Sequence, residues 1–475
     1  MINRRKLLLG GAAAGATVVA APLAVRAAVR QQSWRQPVSE EVVAWLRANA
    51  MPLATIEPGG SAQDIEFLRA AVGDARILSL GEATHGTHEF VQLKSRVIQY
   101  AVAELGFTVI AVENNFGEML PVNDYVLTGN GSAAQAVAGM ELWLWTTEEF
   151  AALVEWVRAW NVTHERKVKF YGIDMQGSGL EARHLLDYLT RVAPDLAAAS
   201  AAPFALLRSK AWDPVTDSAK AATLAQLKGI LAAFDAERAL WISRSSETEW
   251  HLARHSAIVV TQCVSCPPLF YPYYTWRDRC MAGNVGALLD IEGPQAKALV
   301  CAHNGHVQRT PWLAGTLSMG HFLHEQFGAR QVVIGFSFNK GRCNTGIDKI
   351  ISFRPAPAGF FDAALARTDL PHLALDFRRV PASGPVADWM ASKPLWRGAG
   401  GGSYSKPRWY EPRYWIHKFH PDFADRGDPR ENFDLVMFAE TSTPTRQLRA
   451  GSGEALLSKA SDREASKTAR SASPT

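Results

Sequence analysis

Four short apolar runs in this chain each finish in an acid or a histidine. Arg76-Ile77-Leu78-Ser79-Leu80 leads into Gly81-Glu82-Ala83-Thr84-His85-Gly86, and Phe107 to Val112 leads into Glu113-Asn114-Asn115. Val168 to Ile173 ends at Asp174, and Ala298 to Ala302 ends at His303-Asn304-Gly305-His306. An imidazole titrates near neutral pH and can take a proton from water. A carboxylate beside it orients the ring and stabilises its charged form, so the two together can activate water. A single acid or histidine at a strand end ordinarily caps the next helix or fills a polar pocket. Four such ends on one edge point instead to a functional site, with His85 at its centre.

The same side chains raise the question of a metal. Four H-x-x-H pairs occur: His85/His88, His303/His306, His321/His324 and His417/His420. The first two, with Glu82 and Glu113, could bind zinc. Spacing this short recurs by chance in a chain with thirteen histidines, so the reading favours no metal and no cofactor. His321/His324 lies on an amphipathic stretch, Met319 to Phe327, and reads as helix surface. His417/His420 lies in an aromatic, loop-rich region with no acid-ended strand beside it. Cys263-Val264-Ser265-Cys266 is a lone CxxC without the second pair that a structural zinc wants, and five cysteines do not make a disulfide scaffold. No G-x-S-x-G elbow is present; Gly335-Phe336-Ser337-Phe338-Asn339 lacks the last glycine. H-E-x-x-H, P-loop and G-x-G-x-x-G patterns are also missing. A common serine hydrolase, a zincin, an NTPase and a Rossmann dehydrogenase are therefore disfavoured.

The elements that must position these residues alternate along the chain. Glu89 to Leu105 carries Phe90, Leu93, Val97, Ile98, Ala101 and Leu105 at helical spacing, and Glu148 to Asn161 reads as a second helix. Gln331 to Phe336 and Asp434 to Phe438 are further apolar strands. Strands apolar on both faces and separated by helices predict an α/β fold with a mostly parallel central sheet flanked by helices. In such a sheet the C-terminal strand ends share one edge, where ligands bind. Residues 28–75 read as leader helices, Ser39 to Asn49 and Ala62 to Val72. An Ala/Leu-rich stretch, about 194–260, reads as a helical insertion roofing the cleft, and the catalytic domain runs over 76–445. Residues 390–432 read as loop-rich, and 446–475 as a disordered tail.

The start of the chain has its own grammar. Arg4-Arg5-Lys6 precedes an apolar Ala/Gly/Leu/Val run, and Val25-Arg26-Ala27 fits a cleavage site, which makes 1–27 a signal peptide of twin-arginine type. The expected location is periplasmic or extracellular, in a bacterium. The formal charge of +4 comes from four basic residues in this segment; without it the chain is neutral. A nucleic-acid partner is thus not expected, and no membrane contact is expected beyond the export signal.

The ordered motifs resemble the erythromycin esterase family. The resemblance runs from Gly81-Glu82-Ala83-Thr84-His85-Gly86 with Glu89-Phe90 and Lys94, through Gly106-Phe107 and the strand ending at Glu113, to Phe170-Tyr171-Gly172-Ile173-Asp174-Met175. It continues with Arg277-Asp278-Arg279-Cys280-Met281 and Asn284, Ala302-His303-Asn304-Gly305-His306-Val307, Met319-Gly320 and Ile334-Gly335-Phe336. It closes on Phe433-Asp434 and Thr441-Ser442-Thr443-Pro444, covering roughly 75–445. It implies hydrolysis of a small-molecule carboxylic ester, in named cases a macrolide lactone, without a serine nucleophile. His85 would be the general base on water, with Glu82 and Glu113 as acidic partners, and His303 and His306 the second catalytic histidine region. We assign His303, His306 and Lys94 to stabilising the oxyanion, and Arg277 and Asp278 to bracing the site as a pair.

Overall fold

The computed structural model describes residues 36–205, 207, 217–267, 271–311, 315–347, 349–398 and 425–448. The signal segment, His417/His420 and most of the tail lie outside them.

Eleven strands are described: β1 (Met51–Pro52), β2 (Ile77–Leu80), β3 (Val109–Asn115), β4 (Lys169–Asp174), β5 (Ala298–Cys301), β6 (Gln331–Asn344), β7 (Ile350–Phe353), β8 (His372–Asp376), β9 (Leu395–Trp396), β10 (Asp425–Arg426) and β11 (Leu435–Ser442). Nine form one sheet in the order β1-β8-β11-β6-β2-β5-β3-β4, with β7 paired to the far half of β6. The six strands from β11 to β4 are mutually parallel. β1, β7 and β8 are antiparallel additions. β9 and β10 make a separate antiparallel pair.

The central strands are buried along their whole length because both faces are covered. Alternate residues serve opposite cores. Leu78, Leu80, Ile110, Val112, Leu299 and Cys301 pack into one, with Phe90 and Val97 of the helix His88–Leu105. Ile77, Val109, Ala111, Ala298 and Val300 pack into the other, with Met281, Val285 and Leu288 of the helix Tyr271–Glu292. Helices Gly179–Val192, Pro194–Ala205, Asp217–Ala236, Arg238–Ser243 and Glu247–Val264 share a third core around Leu185, Phe204, Leu227, Phe234 and Trp250.

Several boundaries differ from the sequence reading. The strand expected over 107–112 begins at Val109 and runs on to Asn115, so Glu113 is itself a strand residue, beside a shift of register between Val112 and Asn115. Asp174 closes β4 rather than following it. The helix expected over 62–72 is split into a 3-10 turn, Gln63–Ile65, and a helix, Phe67–Val72. β6 is fourteen residues long, more than twice the run expected, because it outlasts β2 and takes β7 as its new neighbour.

Candidate active site

β2, β5, β3 and β4 lie side by side in that order, and they are the four strands whose ends carry Glu82/His85, His303/His306, Glu113 and Asp174. Strands far apart in the chain therefore become neighbours at one edge of the sheet, where parallel α/β folds bind ligands. The loop after β2 turns at Gly86, whose φ is +67°; a Cβ there would meet the Asn344 Cβ at 2.6 Å. Asn304 locks the neighbouring loop to it. Its backbone N–H donates to the Glu82 carbonyl at 2.8 Å, and its buried side chain bonds both ways to the backbone of Phe336.

The first polar unit is Lys94–Glu82–His85. Glu82 Oε1 lies 2.5 Å from His85 Nδ1, and its other oxygen accepts from the Lys94 ammonium of the helix His88–Leu105. Burial opposes ionisation of Glu82, but Lys94 and His85 outweigh it and hold the carboxyl at about 2. An ionised Glu82 accepts the Nδ1 proton, which leaves the lone pair of His85 on Nε2. The ring is only 8% exposed and meets Trp143 edge-on at 6.4 Å.

The second unit is built around Arg277, which is buried. Arg277 donates to both oxygens of Asp174 and, at 2.8 Å, to Glu113 Oε1. Burial disfavours the Glu113 charge, yet His306 and Arg277 carry its carboxyl well below the usual range. His306 Nδ1 lies 2.5 Å from Asp278 Oδ1, and Nε2 lies 3.2 Å from Glu113 Oε1 and 2.9 Å from Arg277 Nη1. Burial would neutralise His306, but Asp278 and Glu113 raise it to about 10 against the opposing charge of Arg277.

His303 joins the two units. Its backbone N–H donates to Glu113 Oε2 at 2.8 Å, and its ring stands 5.0 Å from that of His85. Nδ1 accepts the Gly305 N–H, so Nε2 carries the proton and donates to the Ala83 carbonyl at 3.2 Å. Burial, aided by His85, pushes this histidine down to about 3, so it is neutral.

All nine residues singled out in the sequence therefore belong to one continuous polar cluster, but four sit differently from what was expected. Glu113 makes its hydrogen bonds to the His303 backbone and Arg277 rather than to His85. Lys94 spends its ammonium on Glu82 and is 3% exposed, which ties it to the charge of Glu82 rather than to an oxyanion. Arg277 and Asp278 reach the site separately rather than as a pair: Arg277 takes Asp174 and Glu113, and Asp278 takes His306. The H-x-x-H pairs are also split. His88 binds Glu149 at 2.7 Å, and His321 faces Glu325 one turn along the helix Met319–Phe327. Among the described residues no group of three or more His, Cys, Asp or Glu is arranged to hold a metal ion.

Sequence reasoning missed Trp143 and Trp145. The Trp145 indole donates to the Glu113 carbonyl at 2.8 Å, and both come from a segment with no periodic signal. Gln176, two residues beyond Asp174, donates to its second oxygen. Asn304 and Glu89 were visible as motif letters without a role. Glu89 accepts the Thr443 N–H and hydroxyl, and so pins the chain after β11 to the helix beside the site.

The Erythromycin esterase profile matches residues 102–442. "Erythromycin esterase type II" of Escherichia coli is 25% identical over 331 residues, 62% of this chain and 77% of that protein. A Bacillus cereus crystal structure superposes with a TM-score of 0.73 at 23% identity, covering 86% of this chain and 99% of the other. A mutant of erythromycin esterase EreC in its open conformation gives 0.60 at 14%, covering 84% and 99%. With a helix-flanked α/β sheet and a family match across most of its length, this chain belongs to the erythromycin esterase family.

Proposed function

We propose that this protein hydrolyses a carboxylic ester with water activated by His85. The observation that carries the reading is the 2.5 Å contact between His85 Nδ1 and a Glu82 that stays ionised through Lys94. A carboxylate on Nδ1 fixes the tautomer, as in hydrolytic triads, and presents Nε2 as the base. His85 takes a proton from water, and the hydroxide adds to the ester carbonyl. The oxyanion takes the Nε2–H of neutral His303, drawn from its long bond to Ala83. Collapse expels the alkoxide, which receives the proton held by His85, giving acid and alcohol. His306, expected as a second oxyanion donor, has its ring nitrogens against Asp278, Glu113 and Arg277, and with Asp278, Arg277, Asp174 and Glu113 it instead holds the β5, β3 and β4 ends in register. The helical unit with its own core is the proposed roof of the cleft, and the Arg4-Arg5-Lys6 segment the proposed export signal.

A macrolide-type lactone is the first substrate to try, because the Escherichia coli relative is named for one. The test is a panel of macrolides and simple aryl esters, with and without chelator. Turnover that survives chelation supports the reading. Turnover abolished by chelator and restored by zinc would replace it with a metal hydrolase on the same residues. No turnover of any ester would leave an exported binding protein.

A further inference from the structure

β6 pairs with β2 only from Gln331 to Ile334, and then continues ten residues to Asn344. Because β6 and β2 are parallel, that extension runs on past the edge that carries His85 and His303, paired with β11 as far as Gly341 and with β7 from there to Asn344. It turns over the catalytic loop, where the Asn344 N–H donates to the Gly86 carbonyl at 3.0 Å. The hairpin then closes through Lys349 N–H to Gly346 C=O and returns as β7. Ile347 is three residues past the Gly86 contact, so it lies within about 10 Å of that point along the chain.

This tip is unusually apolar for a surface. Among the described residues, five large hydrophobic side chains are exposed, and two of them stand three positions apart here: Ile347 at 67% and Ile350 at 54%. Exposed basic residues flank them: Arg342 and Arg354 on the two arms and Lys349 at the turn. Asp348, between Ile347 and Lys349, lies outside the described residues. Apolar side chains at a projecting tip within a basic collar suit the boundary of an anionic bilayer, where aliphatic groups enter the acyl region and cations meet phosphate.

We propose that the β6–β7 hairpin docks the catalytic edge onto an anionic lipid surface, with Ile347 and Ile350 inserted and Arg342, Lys349 and Arg354 against the headgroups. This departs from the sequence expectation of no membrane contact beyond the export signal, because two isoleucines in a strand pattern read as core until their exposure is seen. The docking does not rest on the hydrolytic reading. It would bring the site to esters held at a lipid–water interface.

The experiment is sedimentation of the full chain with vesicles of phosphatidylcholine alone or with about a third phosphatidylglycerol. Three forms are compared: wild type, Ile347→Ser/Ile350→Ser and Arg342→Ala/Lys349→Ala. Wild type should partition onto the anionic vesicles, and each double variant should bind about tenfold or more weakly with an unchanged melting temperature. All three forms share the apolar N-terminal segment and the tail, so variants that bind as wild type does would overturn the proposal. So would the absence of binding by any form. Self-association of wild type without vesicles, lost in the isoleucine variant, would assign the tip to a second copy of this chain and also overturn it.

Discussion

The imidazole of His303 stands 5.0 Å from that of His85, yet both of its nitrogens are already committed to backbone, one to Gly305 and one to Ala83. It is neutral and carries a proton on Nε2, so it can donate but has no lone pair to offer. His303→Ala should therefore remove an oxyanion donor and lower kcat by about 10²–10³-fold, with KM within a few-fold of wild type. Steady-state kinetics on the best ester of the panel decide this. A large rise in KM with kcat intact would assign His303 to binding instead.

Lys94 and Glu82 form a buried pair whose other oxygen serves His85. Lys94→Met strands the Glu82 carboxylate and should destabilise the fold by about 3–5 kcal/mol in denaturant titration. Adding Glu82→Gln should recover much of that stability and none of the activity, since a neutral amide no longer stabilises the charged imidazole. Full activity in the double variant would show that the carboxylate is dispensable.

Arg277 divides its guanidinium between Asp174 and Glu113 in a planar, multiply bonded arrangement. Lysine cannot reproduce that fork, so Arg277→Lys should cost stability and activity despite conserving charge. The check is a melting curve beside kcat. Wild-type values for both would mean that the fork has no positioning role.

His255 offers a pH test outside the polar cluster. It is fully buried against Phe116, with neither ring nitrogen hydrogen-bonded, and burial lowers it to about 4. A histidine depressed in the folded state stabilises the fold above its unfolded value near 6.5, and that contribution is lost as pH falls toward 4. His303, at about 3, adds to the same acid limb. His306 acts oppositely: it is raised, so its contribution is present below pH 6.5 and is lost as pH rises toward 10. His255→Phe should therefore gain about 2 kcal/mol at pH 5 relative to its effect at pH 8. Urea titrations at the two pH values measure this, and parallel shifts would contradict it.

The four central strands were legible because a parallel strand covered on both faces must be apolar throughout, so its polar end stands out. Glu82, His85, His303 and Asp174 were found that way. Two of the antiparallel strands were not, since Met51–Pro52 is two residues long and Ile350–Phe353 is half exposed, and neither has a pattern of its own. Who bonds whom was also hidden. Arg277 meets Glu113 across 164 positions and Asp174 across 103, so packing rather than spacing chooses its partners over the adjacent Asp278. Trp145 reaches the Glu113 carbonyl from a segment whose letters carry no period.

The claim at the centre is that His85 Nε2 takes the proton from the attacking water. Its most direct measurement is the single-turnover rate of ester cleavage by His85→Ala, taken beside its melting curve. The account predicts a fall of about 10²–10⁴-fold with the fold intact. Cleavage within a few-fold of wild type by a folded His85→Ala protein would contradict it.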